Sequence, residues 1–143
     1  MKIASFNING IKARIQLLKE WLKKENPDII GLQELKSDNS NLNKNMFADL
    51  GYSFAYNGQK SYNGCGILSK HEIKNTSYFF NGIQEDPQKR WISAEINEIL
   101  ICNLYLPNGN PLGTEKFEYK IHWMNLLYNY LKESTKSYRL SLI

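Results

Sequence analysis

Apolar and polar positions change period repeatedly along the first third of the chain. Lys2 to Asn7 alternates and runs into Asn9-Gly10, a turn pair, which predicts an opening strand. Ile11, Ile15, Leu18 and Leu22 then recur at helical spacing, with Lys12, Lys19, Glu20 and Lys23 on the other face and Pro27 closing the segment. Asp28 to Gln33 is a short, mostly apolar run, the pattern of a strand covered on both faces. The opening unit is therefore strand, helix, strand.

Beyond a polar, Asn-rich stretch from Asp38 to Asn45, Leu42, Met46, Phe47 and Leu50 predict a short helix stopped by Gly51 in the left-handed conformation. Tyr52–Asn57 and Gly64–Ser69 predict two strands joined by the loop Gly58–Asn63. Trp91–Ile96 and Ile99–Tyr105 predict an antiparallel hairpin closed by Asn97-Glu98. Leu106 to Gly113, with two prolines and two glycines, is a loop. Thr114 offers an N-cap hydroxyl and Glu115 and Glu118 suit the positive end of a long helix. The apolar stripe of that helix is Phe117, Ile121, Met124, Leu127 or Tyr128, and Leu131. The segment Ser134–Ile143 reads as a tail.

Composition bounds the answer without naming it. The chain has 143 residues, of which 42% are hydrophobic and 22% charged, which suits one packed α/β domain and argues against disorder. No apolar run approaches the roughly 20 residues of a bilayer-crossing helix, so no membrane partner and a cytoplasmic location are expected. Cys65 and Cys102 are too far apart for a Cys-x-x-Cys pair and are expected to be buried, reduced thiols. A net charge of +4 permits a polyanionic partner without demanding one.

Glu34 follows directly on the covered strand, and the C-terminal ends of strands in open α/β sheets are where ligands gather. Asn7 and Asn9 close the first strand; if the two strands are neighbours, Asn7 and Glu34 share one sheet edge. A carboxylate beside carboxamide oxygens is a hard-oxygen donor set, suited to a Mg²⁺ that keeps most of its waters and takes phosphate oxygens from a substrate. The same spacing also fits an exposed loop acid flanked by two turn asparagines.

Pro27-Asp28-Ile29-Ile30-Gly31-Leu32-Gln33-Glu34-Leu35-Lys36, with Ser5-Phe6-Asn7-Ile8-Asn9-Gly10, closely resembles the exonuclease III family of AP endonucleases within the endonuclease/exonuclease/phosphatase superfamily. The resemblance continues through Gly58-Gln59-Lys60, Arg90 and Asn103-Leu104-Tyr105-Leu106-Pro107-Asn108-Gly109, and so runs from Met1 to about Leu131. It implies a four-layered α/β sandwich of the DNase I-like type and Mg²⁺-dependent phosphodiester hydrolysis, with Mn²⁺ as an alternative ion. The implied substrate is double-stranded DNA at abasic sites and 3′ ends, in base-excision repair. Glu34 resembles the family's metal-binding carboxylate, Asn7 the asparagine that orients the metal environment, and Tyr105 the tyrosine whose phenol reaches the scissile phosphate. Asn9 lies beside them; Gln59, Lys60 and Tyr62 resemble a DNA-contacting loop, and Arg90 a basic residue near the DNA face.

The chain also departs from that pattern. The family continues beyond the long helix with Gly-Asp-x-Asn, further acidic residues and Ser-Asp-His, and none of these is present. The expectation is a C-terminally truncated domain without its general base, inactive in cleavage, with a non-catalytic DNA-binding remnant as the alternative. A full-length member is expected to be a monomer. About half of the fold would leave one sheet face bare, with Ile67, Ile92, Ala94, Ile101 and Leu104 as candidates for an exposed, association-prone surface.

Overall fold

The computed structural model describes residues 1–143. The opening unit forms as its periods predict: strand β1 over Ile3–Asn7, helix α1 over Ile11–Glu25 and strand β2 over Ile29–Gln33, every residue of β2 being buried. Asn26 ends α1 in the left-handed conformation, its N–H donating to Leu22 O. Strands β3 (Ser53–Asn57) and β4 (Cys65–Ser69) follow, then β5 (Lys74–Ser77), β6 (Trp91–Ile96), β7 (Ile99–Leu104), helix α2 (Glu115–Ser134) and β8 (Arg139–Leu142).

The strands form two four-stranded sheets, β1-β2-β4-β3 and β5-β6-β7-β8. Successive side chains of a strand point to opposite faces, and here both faces are covered. Ile30, Leu32 and Leu68 meet Ile11, Leu18 and Leu22 of α1. Ile29, Cys65 and Ile67 meet Ile92, Ala94, Ile96 and Ile101 between the sheets. Trp91, Leu100 and Cys102 meet Trp123 and Leu127 of α2. The layers are thus helix, sheet, sheet, helix, the expected four-layered α/β sandwich.

Several expectations are corrected. The chain supplies both sheets in equal strand number, so Ile67, Ile92, Ala94 and Ile101 are fully buried between them instead of forming a bare face. Leu104 points the other way, toward α2. The short helix before Gly51 is a pair of 3₁₀ turns, Asn39–Asn41 and Ala48–Leu50, with Gly51 left-handed as expected. The tail contains β8, which runs parallel to β7. Thr114 does not cap α2 through its side chain, because its hydroxyl donates to Pro111 O at 2.7 Å.

The buried face of α2 is also rotated from the expected stripe: Trp123 and Leu127 are buried, whereas Ile121, Met124 and Tyr128 are exposed. The reason is aromatic. Trp123 and Tyr130 each lie 5.3 Å from Phe80, and Tyr130 lies 5.4 Å from Trp91, so ring area and ring geometry select the face. Both cysteines are buried free thiols, and burial pushes Cys102 up to about 12 and Cys65 higher still, which keeps them protonated. No helix is long and apolar enough to cross a membrane.

Candidate active site

Main-chain hydrogen bonds gather the predicted site residues at one end of the sandwich. Ile8 N donates to Gln33 O at 3.0 Å, Leu35 N to Gly64 O at 3.0 Å, Gly64 N to Lys89 O at 2.8 Å and Tyr105 N to Arg90 O at 2.9 Å. The C-terminal ends of β1, β2 and β7, the β3–β4 loop and the start of β6 therefore form a single rim. Asn9, Glu34 and Lys36 sit on it with φ of 47°, 55° and 50°. Left-handed backbone is unfavourable for residues with a Cβ and persists where its surroundings over-determine it. Here Leu35, fully buried, anchors the turn between Glu34 and Lys36, while Gly10 N and Ile11 N donate to Glu34 O and Leu35 O.

Glu34 is the centre of the rim. Asn7 Nδ2 donates to its Oε1 at 2.8 Å, and the Lys36 ammonium lies 2.9 Å from its Oε2. Lys36 also donates to Asn9 Oδ1 at 2.5 Å, and Asn9 N donates to Asn7 Oδ1 at 3.1 Å, closing a ring of Asn7, Asn9, Glu34 and Lys36. Arg14 braces the ring by donating to Asn9 O. Burial alone would raise the Glu34 carboxyl, but hydrogen bonding from Asn7, Lys36 and Tyr105 outweighs it and brings the group down to about 2. The carboxylate is ionised at any working pH.

Tyr105 completes this corner. Burial first, and the Glu34 carboxylate second, push its phenol above the ordinary value, so it stands as a protonated donor. Asn7 and Tyr105 share a hollow of about 390 Å³ with Ser5, Gln33, Leu104, Leu106, Leu142 and Ile143. Arg90 lies beneath Tyr105: its guanidinium carbon is 4.9 Å from the ring centroid, Nη1 donates to Tyr105 O at 3.1 Å and Nε to Gln88 Oε1 at 2.8 Å. On the β3–β4 loop, Gln59 Oε1 accepts from Asn63 Nδ2 at 3.0 Å and from Lys89 N at 2.9 Å. Gln59 thus braces the loop, while Lys60 and Tyr62 project into solvent, Tyr62 being 69% exposed.

Three participants were missed by sequence reasoning. Lys36 closed a quoted motif two residues after Glu34 but was given no role. Gln33 and Asn103 lay inside quoted motifs, and the period of 2 that puts Asn103 on the Tyr105 face of β7 was available from sequence. They meet between the sheets: Gln33 Nε2 donates to Asn103 Oδ1 at 2.7 Å.

The donor set fits a hard divalent cation. Glu34 supplies one ionised carboxylate, Asn7 turns its amide nitrogen to that carboxylate and its oxygen to Asn9 N, and no thiol or imidazole adjoins them. An ion of the Mg²⁺ kind needs few protein ligands when phosphate and water supply the rest, and the Lys36 ammonium on Oε2 is partly solvated and displaceable.

Comparison with known proteins places this chain in a family. The sequence profile of the endonuclease/exonuclease/phosphatase family matches residues 4–139. The exodeoxyribonuclease III of Haemophilus influenzae is 38% identical over 96% of this chain and 54% of its own length. A DNA-(apurinic or apyrimidinic site) endonuclease of Dictyostelium discoideum is 33% identical over 85% of this chain and 34% of its own. Among solved structures, the 3′-5′ exonuclease of Neisseria meningitidis superposes with a TM-score of 0.93 at 30% identity, over 99% of this chain and 56% of that one. An AP endonuclease from Archaeoglobus fulgidus gives 0.88 at 35% identity, over 93% and 51%. The chain spans from a third to about half the length of these relatives. With its two-sheet sandwich, its rim of Asn7, Glu34 and Tyr105 and these matches, the chain belongs to the endonuclease/exonuclease/phosphatase family, among the exodeoxyribonuclease III and AP endonuclease members.

Proposed function

We propose that this chain carries the metal- and phosphate-binding side of a Mg²⁺-dependent DNA phosphodiesterase acting at abasic sites and 3′ ends. The observation that carries this reading is the Glu34 carboxylate, held ionised by Asn7 and Lys36 beside the Tyr105 phenol. A divalent cation bound by Glu34, with Asn7 beside it, supplies charge neutralisation on the non-bridging oxygens of a phosphate; Mn²⁺ serves the same chemistry.

The protein groups divide the remaining work. Asn7 fixes the rotamer of Glu34 through its amide, so the carboxylate is pre-aimed. Tyr105, protonated and gripped from below by Arg90, donates toward a phosphate oxygen in the shared hollow. Asn9, Gln59, Lys60, Tyr62 and Arg90 form the DNA side of the rim, with Lys60 meeting backbone phosphate and Tyr62 offering a ring face to sugar or base.

Hydrolysis also needs a base for the attacking water. Neither histidine stands at the rim: His122 is exposed on α2, and His71 lies beyond β4 at the opposite end from Glu34. We therefore propose that the 143 residues by themselves bind DNA and leave the phosphodiester intact. The test pairs a gel shift with a nicking assay on an abasic duplex in Mg²⁺. Salt-sensitive binding without nicking is the expected result; nicking at the rate of a full-length relative overturns the inactivity, and absence of DNA binding overturns the reading as a whole.

A further inference from the structure

Glu34 and Tyr105 directly follow strands of different sheets, β2 and β7, and packed sheets slide unless something registers them. The residue next to Glu34 and the residue two before Tyr105 are joined across the interface. Gln33, buried on β2, donates from Nε2 to Asn103 Oδ1 at 2.7 Å and to Ser5 Oγ at 3.1 Å. Asn103, fully buried on β7, donates from Nδ2 to Leu32 O at 2.9 Å and to Gly66 O at 2.7 Å. Both carbonyls accept only, so the orientation of the Asn103 amide is fixed by chemistry: nitrogen toward the first sheet's backbone, oxygen toward Gln33.

The arrangement is specific in three ways. One side chain of the second sheet is bonded to two neighbouring strands of the first, so it registers the whole end of that sheet. The approach also requires a glycine, because a Cβ on Gly31 would lie 2.8 Å from Asn103 Oδ1 and 2.7 Å from Ile143 Cδ1. And its immediate surroundings between the sheets are apolar, made by Ile29, Ile67, Ile92, Ala94 and Ile101, the other buried cross-sheet side-chain bond, Asn57 Nδ2 to Trp91 O at 2.9 Å, lying apart at β3 and β6. A non-directional apolar contact tolerates sliding, whereas a fully satisfied buried amide network has one geometry.

We propose that Asn103 and Gln33 are positioning residues which set the spacing of Glu34 and Tyr105 across the two sheets. Asn103 is fully buried, and Gln33 is buried at the wall of the hollow that Asn7 and Tyr105 share. Asn103 holds the end of β2 through the Leu32 carbonyl, and Tyr105 follows two residues later, one past the end of β7, packed against the same intersheet cluster. Gln33 transmits the same constraint to the residue beside it, Glu34. The proposal rests on Glu34 and Tyr105 being the working pair, as proposed above, but its test does not require cleavage.

The experiment labels the chain with 3-fluorotyrosine and assigns the Tyr105 signal by Tyr105→Phe. In the otherwise native chain, Glu34→Gln is expected to shift the Tyr105 fluorine resonance. In the Asn103→Leu and Gln33→Met backgrounds that shift should fall by at least half, with far-ultraviolet circular dichroism and the other tyrosine signals retained. Gln33→Met is the milder change, since it preserves both carbonyl bonds of Asn103, and it decides the matter if Asn103→Leu does not fold. A residue that only supports the fold lowers the melting temperature without altering this coupling. An undiminished Glu34→Gln shift in Gln33→Met overturns the proposal, as does the lack of any such shift in the native background. Failure of the functional reading registers separately, as loss of DNA binding by the native chain.

Discussion

Arg90 holds Tyr105 twice: its guanidinium carbon lies 4.9 Å from the centroid of the phenol ring, and Nη1 donates to the Tyr105 carbonyl at 3.1 Å. A planar fork that stacks and donates at once has no equivalent in lysine. Arg90→Lys is therefore expected to lower stability by about 1 kcal/mol, measured by urea denaturation. Because the charge is kept, the salt dependence of DNA binding should not change.

Lys60 and Tyr62 make the opposite case. They face solvent, so replacing them should leave the fold unaltered and appear in binding alone. Lys60→Ala is expected to reduce the slope of log affinity against log salt by about 1, as for one phosphate contact, and Tyr62→Ala to weaken binding without changing that slope. Fluorescence anisotropy with a labelled abasic duplex over a salt series checks both; a Lys60→Ala slope equal to that of the native chain would remove this residue from the DNA face.

The depressed Glu34 carboxyl ties stability to pH. Its folded value of about 2 lies below the ordinary 4.5, so between these values the unfolded chain binds a proton that the folded chain does not. The stabilisation is fully present above pH 4.5 and is lost as pH falls through about 2. It amounts to at most about 3 kcal/mol. Unfolding free energies of native chain and Glu34→Gln should therefore differ most at neutral pH and converge in acid; a difference that is constant with pH would contradict the ring of hydrogen bonds around Glu34.

Gly31 is buried under Asn103 with no room for a methyl group. Gly31→Ala must displace the amide or Ile143 and is expected to cost about 1–3 kcal/mol, read as a lower urea midpoint. Gly51→Ala meets nothing within 4 Å and carries only the strain of a φ of 78°, so its effect on the sheet interface should be nil.

What the sequence disclosed follows from where periodicity is strong. Ile11, Leu18 and Leu22 repeat without interruption and α1 formed as expected; β2 is apolar up to its last residue, Gln33, and is buried throughout. Strand β5, Lys-Asn-Thr-Ser, has no apolar face and escaped notice because main-chain pairing with β6, not side-chain burial, holds it. Strand β8 was hidden likewise in a short tail that acquires its meaning only beside β7. The stripe of α2 was misassigned because Trp123 and Tyr130 bury more area than Ile121 and Met124, and their partners Phe80 and Trp91 are distant in sequence. At the site, Asn7 and Glu34 were legible from their strand ends, while the Gln33–Asn103 bond joins residues 70 positions apart and no local pattern encodes it.

The central claim is that Glu34 is the anionic ligand of a divalent-cation site that forms against DNA phosphate. Titration of Mn²⁺ into the chain bound to an abasic duplex, followed by electron paramagnetic resonance, tests it directly. The expected result is one bound ion per native chain and an affinity at least tenfold lower for Glu34→Gln, with DNA binding otherwise preserved. Equal Mn²⁺ affinity in the two proteins, or no bound ion in the native complex, would contradict it.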